Sequence, residues 1–186
     1  MNVTKDKISS VFFQYSIPAV LGMLAISSAN IVDGFFIGNY VGDFGLAAIN
    51  ISFPIFSLLF GFALMLAIGS SVVSGKLIGQ GDIKSASIIF SKTMVCITLF
   101  SFITCTGLFL NIETVLYLFG ADENLTKIAI EYLSVILIFI PFLMIGVVLD
   151  YFVRVDNRPN LAFIALLLSA VINVILDWFL IVYLQK

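Results

Sequence analysis

Two stretches decide how this chain folds: residues 15–38, YSIPAVLGMLAISSANIVDGFFIG, and residues 160–184, NLAFIALLLSAVINVILDWFLIVYL. Each is long enough to cross the roughly 30 Å hydrocarbon core of a bilayer as an α-helix, and each carries one carboxylate, Asp33 or Asp177, where lipid would be expected. An ionisable group at that depth costs several kcal/mol, so it usually has a partner and a function. Asn173 lies one helical turn before Asp177 and shares its face.

The whole composition agrees with a membrane environment. Of 186 residues, 61% are hydrophobic and only 11% charged, and the mean hydropathy of +1.18 exceeds what a soluble domain of this size could bury. The net charge of -2 and the scattered Lys and Arg residues give no basic patch, which sets nucleic acid aside as a partner. Cys96 and Cys105 fall within one apolar run and the chain has no His, so neither a zinc site nor a disulfide framework is expected, and no cofactor is indicated. The first apolar run is too long for the core of a cleaved signal and is expected to remain as a membrane helix.

Three further apolar runs complete a set of five: approximately 15–38, 46–75, 86–110, 125–150 and 160–184, after a polar amino-terminal segment, 1–14. The breaks between them hold turn chemistry, such as Gly42-Asp43, Gly79-Gln80-Gly81-Asp82, Gly120-Ala121-Asp122 and Asn157-Arg158-Pro159. Placing the amino terminus in the cytoplasm puts Lys5, Lys7, Lys76, Lys84, Lys92, Arg154 and Arg158 inside and only Lys127 and Lys186 outside. Seven against two is the asymmetry the positive-inside rule asks for. The expected fold is thus all-α and multi-pass, in the cell membrane. Asp150 and Arg154 are spaced to pair at a helix end, and Lys92 is placed to snorkel back to the nearer phosphates.

At about 1.5 Å per residue, Asp33 and Asp177 lie about 27 and 26 Å along their helices from the cytoplasmic end, and Tyr132 sits about 10 Å from the outer end of the fourth. Two carboxylates, a carboxamide and a phenol at one level can form a polar pocket that holds either a shared proton or a hard cation such as sodium. The alternative is that Asp33 reaches the outer interface and Asp177 snorkels beside Trp178 and Tyr183 in an aromatic belt. Glu131 is adjacent to Tyr132 but points elsewhere on the same helix. Asn30 shares its face with Ser27 and Gly34, a stripe read as a close helix contact rather than a ligand set. Pro18, Pro54 and Pro141 lie inside helices and permit bends there.

Ile17-Pro18, the run Ile31-Val32-Asp33-Gly34-Phe35-Phe36-Ile37-Gly38, Leu46-Ala47-Ala48, Lys76-Leu77-Ile78-Gly79-Gln80-Gly81-Asp82, Arg154-Val155-Asp156-Asn157-Arg158-Pro159 and Asn173-Val174-Ile175-Leu176-Asp177 carry a further reading in their order and spacing. Through essentially its whole length the chain resembles the amino-terminal half of a multidrug and toxic compound extrusion (MATE) transporter. The resemblance implies five transmembrane helices forming most of one six-helix lobe, and a cation-coupled antiporter that uses sodium or protons to export drugs or organic cations. It also implies a cation site at Asp33, Asn173, Asp177 and Tyr132, of which Asp33, Asn173 and Asp177 would hold sodium if sodium is the ion, and a bend in the first helix at Pro18. The sixth helix and second lobe of that pattern are absent here. A partial or truncated chain is therefore expected, with a carboxy-terminal lobe as its partner.

Three rivals stand beside this reading. A lipid-linked oligosaccharide flippase of related fold would call for a cationic cavity, and no Arg or Lys lies mid-span. An intramembrane aspartyl protease would use a Gly-x-Gly-Asp string, but Gly79-Gln80-Gly81-Asp82 falls between Lys76 and Lys84 in a polar break, so no enzyme is expected. A non-transporting membrane subunit is the third.

Overall fold

The computed structural model describes residues 7–40 and 43–183. Lys5 and Lys186, used above for orientation, together with Gly42 of the first turn and Leu184 at the end of the last run, lie outside the described residues. The described chain is helical: α1 (Ile8–Tyr40), α2 (Asp43–Gly79), α3 (Ile83–Leu110), α4 (Ile112–Leu118), α5 (Glu123–Val155) and α6 (Pro159–Asp177), which continues as a π-helical segment, Trp178–Tyr183. Five of these helical stretches are long and apolar enough to cross a membrane. The longest, α2, has 37 residues and is therefore about 55 Å long, well beyond the hydrocarbon thickness, so its ends extend into the headgroup layers or it tilts.

The chain divides into two compact units. One joins α1 to α6 and the π-helical segment; the other is Val41–Phe152. In the second unit each long helix buries a single stripe at helical spacing. On α2 it is Ala48, Ser52, Ile55, Leu59, Ala63, Ala67, Ser71 and Ser74; on α3, Ala86, Thr93, Ile97, Ser101 and Cys105; on α5, Thr126, Ala129, Leu133, Leu137, Ile140, Met144 and Val148. The stripes are no more hydrophobic than the exposed faces, which carry Leu, Phe, Ile and Val throughout. What sets those of α2 and α3 apart is their share of small and hydroxyl-bearing residues, as expected where lipid supplies no hydrophobic drive between helices and shape decides which faces meet, while α5 presents larger Leu, Ile and Met side chains to them. Ala63, Ala67 and Ser74 let α2 approach α3 closely enough for Ser74 Oγ to donate to the Ala86 carbonyl at 3.0 Å. Larger rings fill the space toward α5: Phe90 meets Phe152 edge-on with centroids 4.9 Å apart.

The break at 111–124 holds a helix that the sequence reading passed over. Asn111 ends α3 and begins α4, whose Leu116 is fully buried, and Ala121 just beyond joins the same core. A seven-residue helix is invisible to a search for membrane-length runs, yet here it closes one end of the core.

Three turns share one mechanism. After α2, α4 and α5 a residue in the left-handed region, Gly81 (φ 82°), Gly120 (φ 91°) or Asn157 (φ 61°), lets the next backbone N–H reach back five residues: Asp82 to Leu77, Ala121 to Leu116 and Arg158 to Val153. These Schellman turns satisfy carbonyls that would otherwise face a poor solvent. Asn157 is the non-glycine case, and its side chain has a second role, because Tyr15 of α1 donates its hydroxyl to Asn157 Oδ1 at 2.6 Å.

In detergent, Tyr15→Phe should lower the thermal midpoint by an amount corresponding to about 1 kcal/mol, Asn157→Gly should do the same while keeping the turn, and the double variant should lose no more than either alone. Asp82 begins α3 by accepting the Ser85 N–H at 3.0 Å, and bonds from the Ser85 hydroxyl and backbone hold its carboxyl below the ordinary carboxylate range. That cap is complete at neutral pH and is lost as pH falls through the depressed pKa, so Asp82→Asn should flatten the acid limb of the pH–stability curve, read by circular dichroism.

Candidate intramembrane acid site

The site is built by the α1–α6 pair. Along α1 the face turned inward is Pro18, Gly22 and Ala29, with Ala25, Val32 and Asp33 half-buried on the same side; along α6 it is Ala162 and Ala170, with Leu166, Asn173, Val174 and Asp177. Contacts advance together along both helices, Tyr15 with Asn157 and then Gly22 with Leu166, so the two run parallel. Parallel packing is what the first and fifth crossings of a five-crossing chain require, since both run in the same direction. Gly22 makes the close approach possible: a Cβ there would stand 2.8 Å from Leu166 Cδ1.

Carried up the pair, the register of Gly22 with Leu166 places Asp33 level with Asp177, the same 144 residues apart. Both are half-buried, and Asn173, one turn below Asp177, is half-buried as well. Asp177 Oδ2 is buried and has no hydrogen-bond partner among the described residues. A buried acceptor without a donor is costly, and a proton or a cation would relieve it. Below the acids, an open apolar groove of about 340 Å³ lies against the pair, lined by Ala25, Ala29 and Val32 of α1 and Ala170 and Val174 of α6.

The residues singled out by depth fall into two groups. Asp33, Asn173 and Asp177 belong to one unit, with Pro18 buried about four turns below Asp33 on the same helix. Tyr132 lies on α5 in the other unit and is 36% exposed. Among the described residues no group of three or more Asp, Glu, His or Cys side chains is assembled for a metal. A hard cation at Asp33 and Asp177 would draw its other ligands from Asn173 and from neutral oxygens.

Two details were not legible beforehand. The stripe of Asn30, Ser27 and Gly34 is exposed, with open space at Gly34, and is not the close contact expected; the contact runs through Gly22 and Ala29 instead. Both stripes consist of small residues at helical spacing, so periodicity alone could not choose between them. Directly after Asp177 the helix widens into a π-helical turn, which brings Trp178 over Tyr183, five residues on, with ring centroids 6.4 Å apart. Those rings are exposed, whereas Asp177 Oδ2 turns inward and does not accompany them to the rim.

Helices this long and apolar, two of them carrying half-buried carboxyls at one level, define a multi-pass membrane protein. The MatE family model matches residues 18–179, and the chain belongs to that family. It is 29% identical over 177 residues to the multidrug export protein MepA of Staphylococcus saprophyticus, covering 93% of this chain and 39% of that protein. Among solved structures it resembles an outward-facing multidrug resistance MATE family transporter of the MOP superfamily, with a TM-score of 0.86, 25% identity and coverage of 92% of this chain and 38% of the other. A MOP superfamily transporter from Pyrococcus furiosus, for which a binding pocket of reverse polarity suggests a different function, is similar at a TM-score of 0.85 and 25% identity, covering 91% and 37%. The chain thus spans about two fifths of the length of the relatives it matches. Its fold is that of the amino-terminal half of a MATE transporter.

The helix contact below the acids is testable on its own. Gly22→Leu should push α1 from α6 and destabilise the chain by about 1–3 kcal/mol, as overpacking does. Leu166→Ala in the same chain should recover part of the loss, and thermal midpoints of the two singles and the double measure the coupling.

Proposed function

We propose that this chain forms the amino-terminal part of a cation-coupled antiporter of the cytoplasmic membrane, with its amino terminus in the cytoplasm, that exports drugs or other bulky organic compounds. The reading is of a transporter and not of an enzyme. The observation that carries it is the buried, unpartnered Asp177 Oδ2 on a parallel helix pair whose register sets Asp33 at the same level. Membership of the MatE family and similarity to a protein named for multidrug export support the substrate class.

In this mechanism the coupling ion, sodium or a proton, enters from outside and is held by Asp33 and Asp177, with Asn173 as a neutral oxygen ligand and Tyr132 as a further contributor. Ion binding removes the repulsion between the carboxylates and satisfies the orphan oxygen, so α1 and α6 are held together more firmly with the ion than without it. An ion bound more tightly in one state than another shifts the population between them, and the drug is affected reciprocally. Pro18 removes the hydrogen bond its N–H would give, freeing the carbonyl of Gln14, and supplies a point at which α1 can bend. Rocking between inward and outward states needs a second lobe about the site, which would be the partner of this chain.

Expressed as part of the full-length transporter, Asp33→Asn and Asp177→Asn should each reduce ion-driven dye efflux by an order of magnitude or more at unchanged membrane abundance. Asn173→Ala should weaken the apparent affinity for sodium while leaving proton-driven efflux little changed, which separates the two ions. Efflux that persists in both acid variants rejects the assignment.

A further inference from the structure

The face of α3 turned away from the core carries charge where an apolar surface is expected. Ala86, Thr93 and Ile97 form the buried stripe of this helix. Lys84, Ile88, Lys92, Val95 and Leu99 project from the opposite side at helical spacing, and Cys96 lies one turn beyond Lys92; all six are exposed. Ile88, Val95 and Leu99 belong to the apolar surface that a membrane helix offers to lipid. Lys92 stands among them about 14 Å from the start of α3, and Lys84 stands about 12 Å closer to that start.

Neither lysine has an ion-pair partner among the described residues, and α3 contains no Asp or Glu that could supply one. An ammonium at the depth of Lys92 lowers its energy by reaching along its stem toward the helix start, where lipid phosphates lie. The Cβ of a helical residue already points that way. Lys84, further out, is at the level of the polar headgroup itself.

We propose that the Lys84–Lys92 face of α3 binds an anionic phospholipid, with Lys92 on the phosphate, Lys84 on the outer part of the headgroup, and Ile88, Val95 and Leu99 against the acyl chain. The selection comes from charge complementarity: a zwitterionic lipid offers the same phosphate but brings its own cation, which the two lysines repel. The surface lies wholly on α3, in the unit that does not hold Asp33 and Asp177.

The chain supplies its own reporter. Cys96 is exposed beside Lys92 and Cys105 is buried, so a thiol-reactive fluorophore is directed to this face. The intact labelled chain is placed in phosphatidylcholine vesicles containing trace nitroxide-labelled phosphatidylglycerol or, in parallel, the same mole fraction of nitroxide-labelled phosphatidylcholine. Quenching by phosphatidylglycerol should be stronger by about fivefold, the preference expected of one lysine at an anionic surface. Lys92→Gln should bring the ratio close to one, Lys92→Arg should keep it, and Lys84→Gln should lower it in part, with helicity checked in each. If Lys92→Gln does not insert, the fall with Lys84→Gln decides. Equal quenching by the two lipids, a ratio unmoved in the glutamine variants, or a Cys96–Cys96 disulfide that shows a second copy covering the face would each overturn the proposal.

Discussion

A bilayer cannot hydrogen-bond, and most of this structure follows from that one constraint. Backbone groups must be satisfied inside each segment, so the spanning elements are uninterrupted helices. Between helices the hydrophobic effect is nearly silent, because lipid is as apolar as leucine, and association falls to close packing and a few polar contacts. Hence the many Ala, Ser and Thr in the buried stripes of α2 and α3, and hence the left-handed turns at Gly81, Gly120 and Asn157, which return amide donors to carbonyls at the helix ends.

The same constraint makes Asp33 and Asp177 conspicuous. In water their proximity would mean little; within a helix pair whose neighbouring contacts are made by Gly22, Ala29 and Ala170 it concentrates the polar chemistry at one level. The groove directly below adds contrast, since Ser28 is the one polar side chain in a lining of Ala, Val, Leu and Ile.

Much of this was readable in the sequence. Length and composition are enough to define membrane helices, and a carboxylate inside such a run announces itself, so the architecture and the acids on α1 and α6 needed no coordinates. Partner choice was harder. Ser27, Asn30 and Gly34 looked as suitable for packing as Gly22 and Ala29, because a helix hydrophobic on all sides gives no moment to say which way it faces. Helix α4 escaped because seven residues lie below any span-length window, and the tie between Tyr15 and Asn157 because it joins residues 142 positions apart. The π-helical turn after Asp177 has no signature in WFLIVY that separates it from an ordinary helix end.

The parallel pairing of α1 with α6 also has a consequence for biosynthesis. About 120 residues of chain separate the end of α1 from the start of α6, and at ribosomal rates of roughly 5–20 residues per second that interval lasts on the order of ten seconds. Throughout it, α1 and Asp33 must be accommodated before the helix that completes their interface has been made. The nascent chain therefore passes through a stage in which its least membrane-compatible residue depends on the insertion machinery, on bound water or on an added proton for shelter. Arrival of α6 is what releases it.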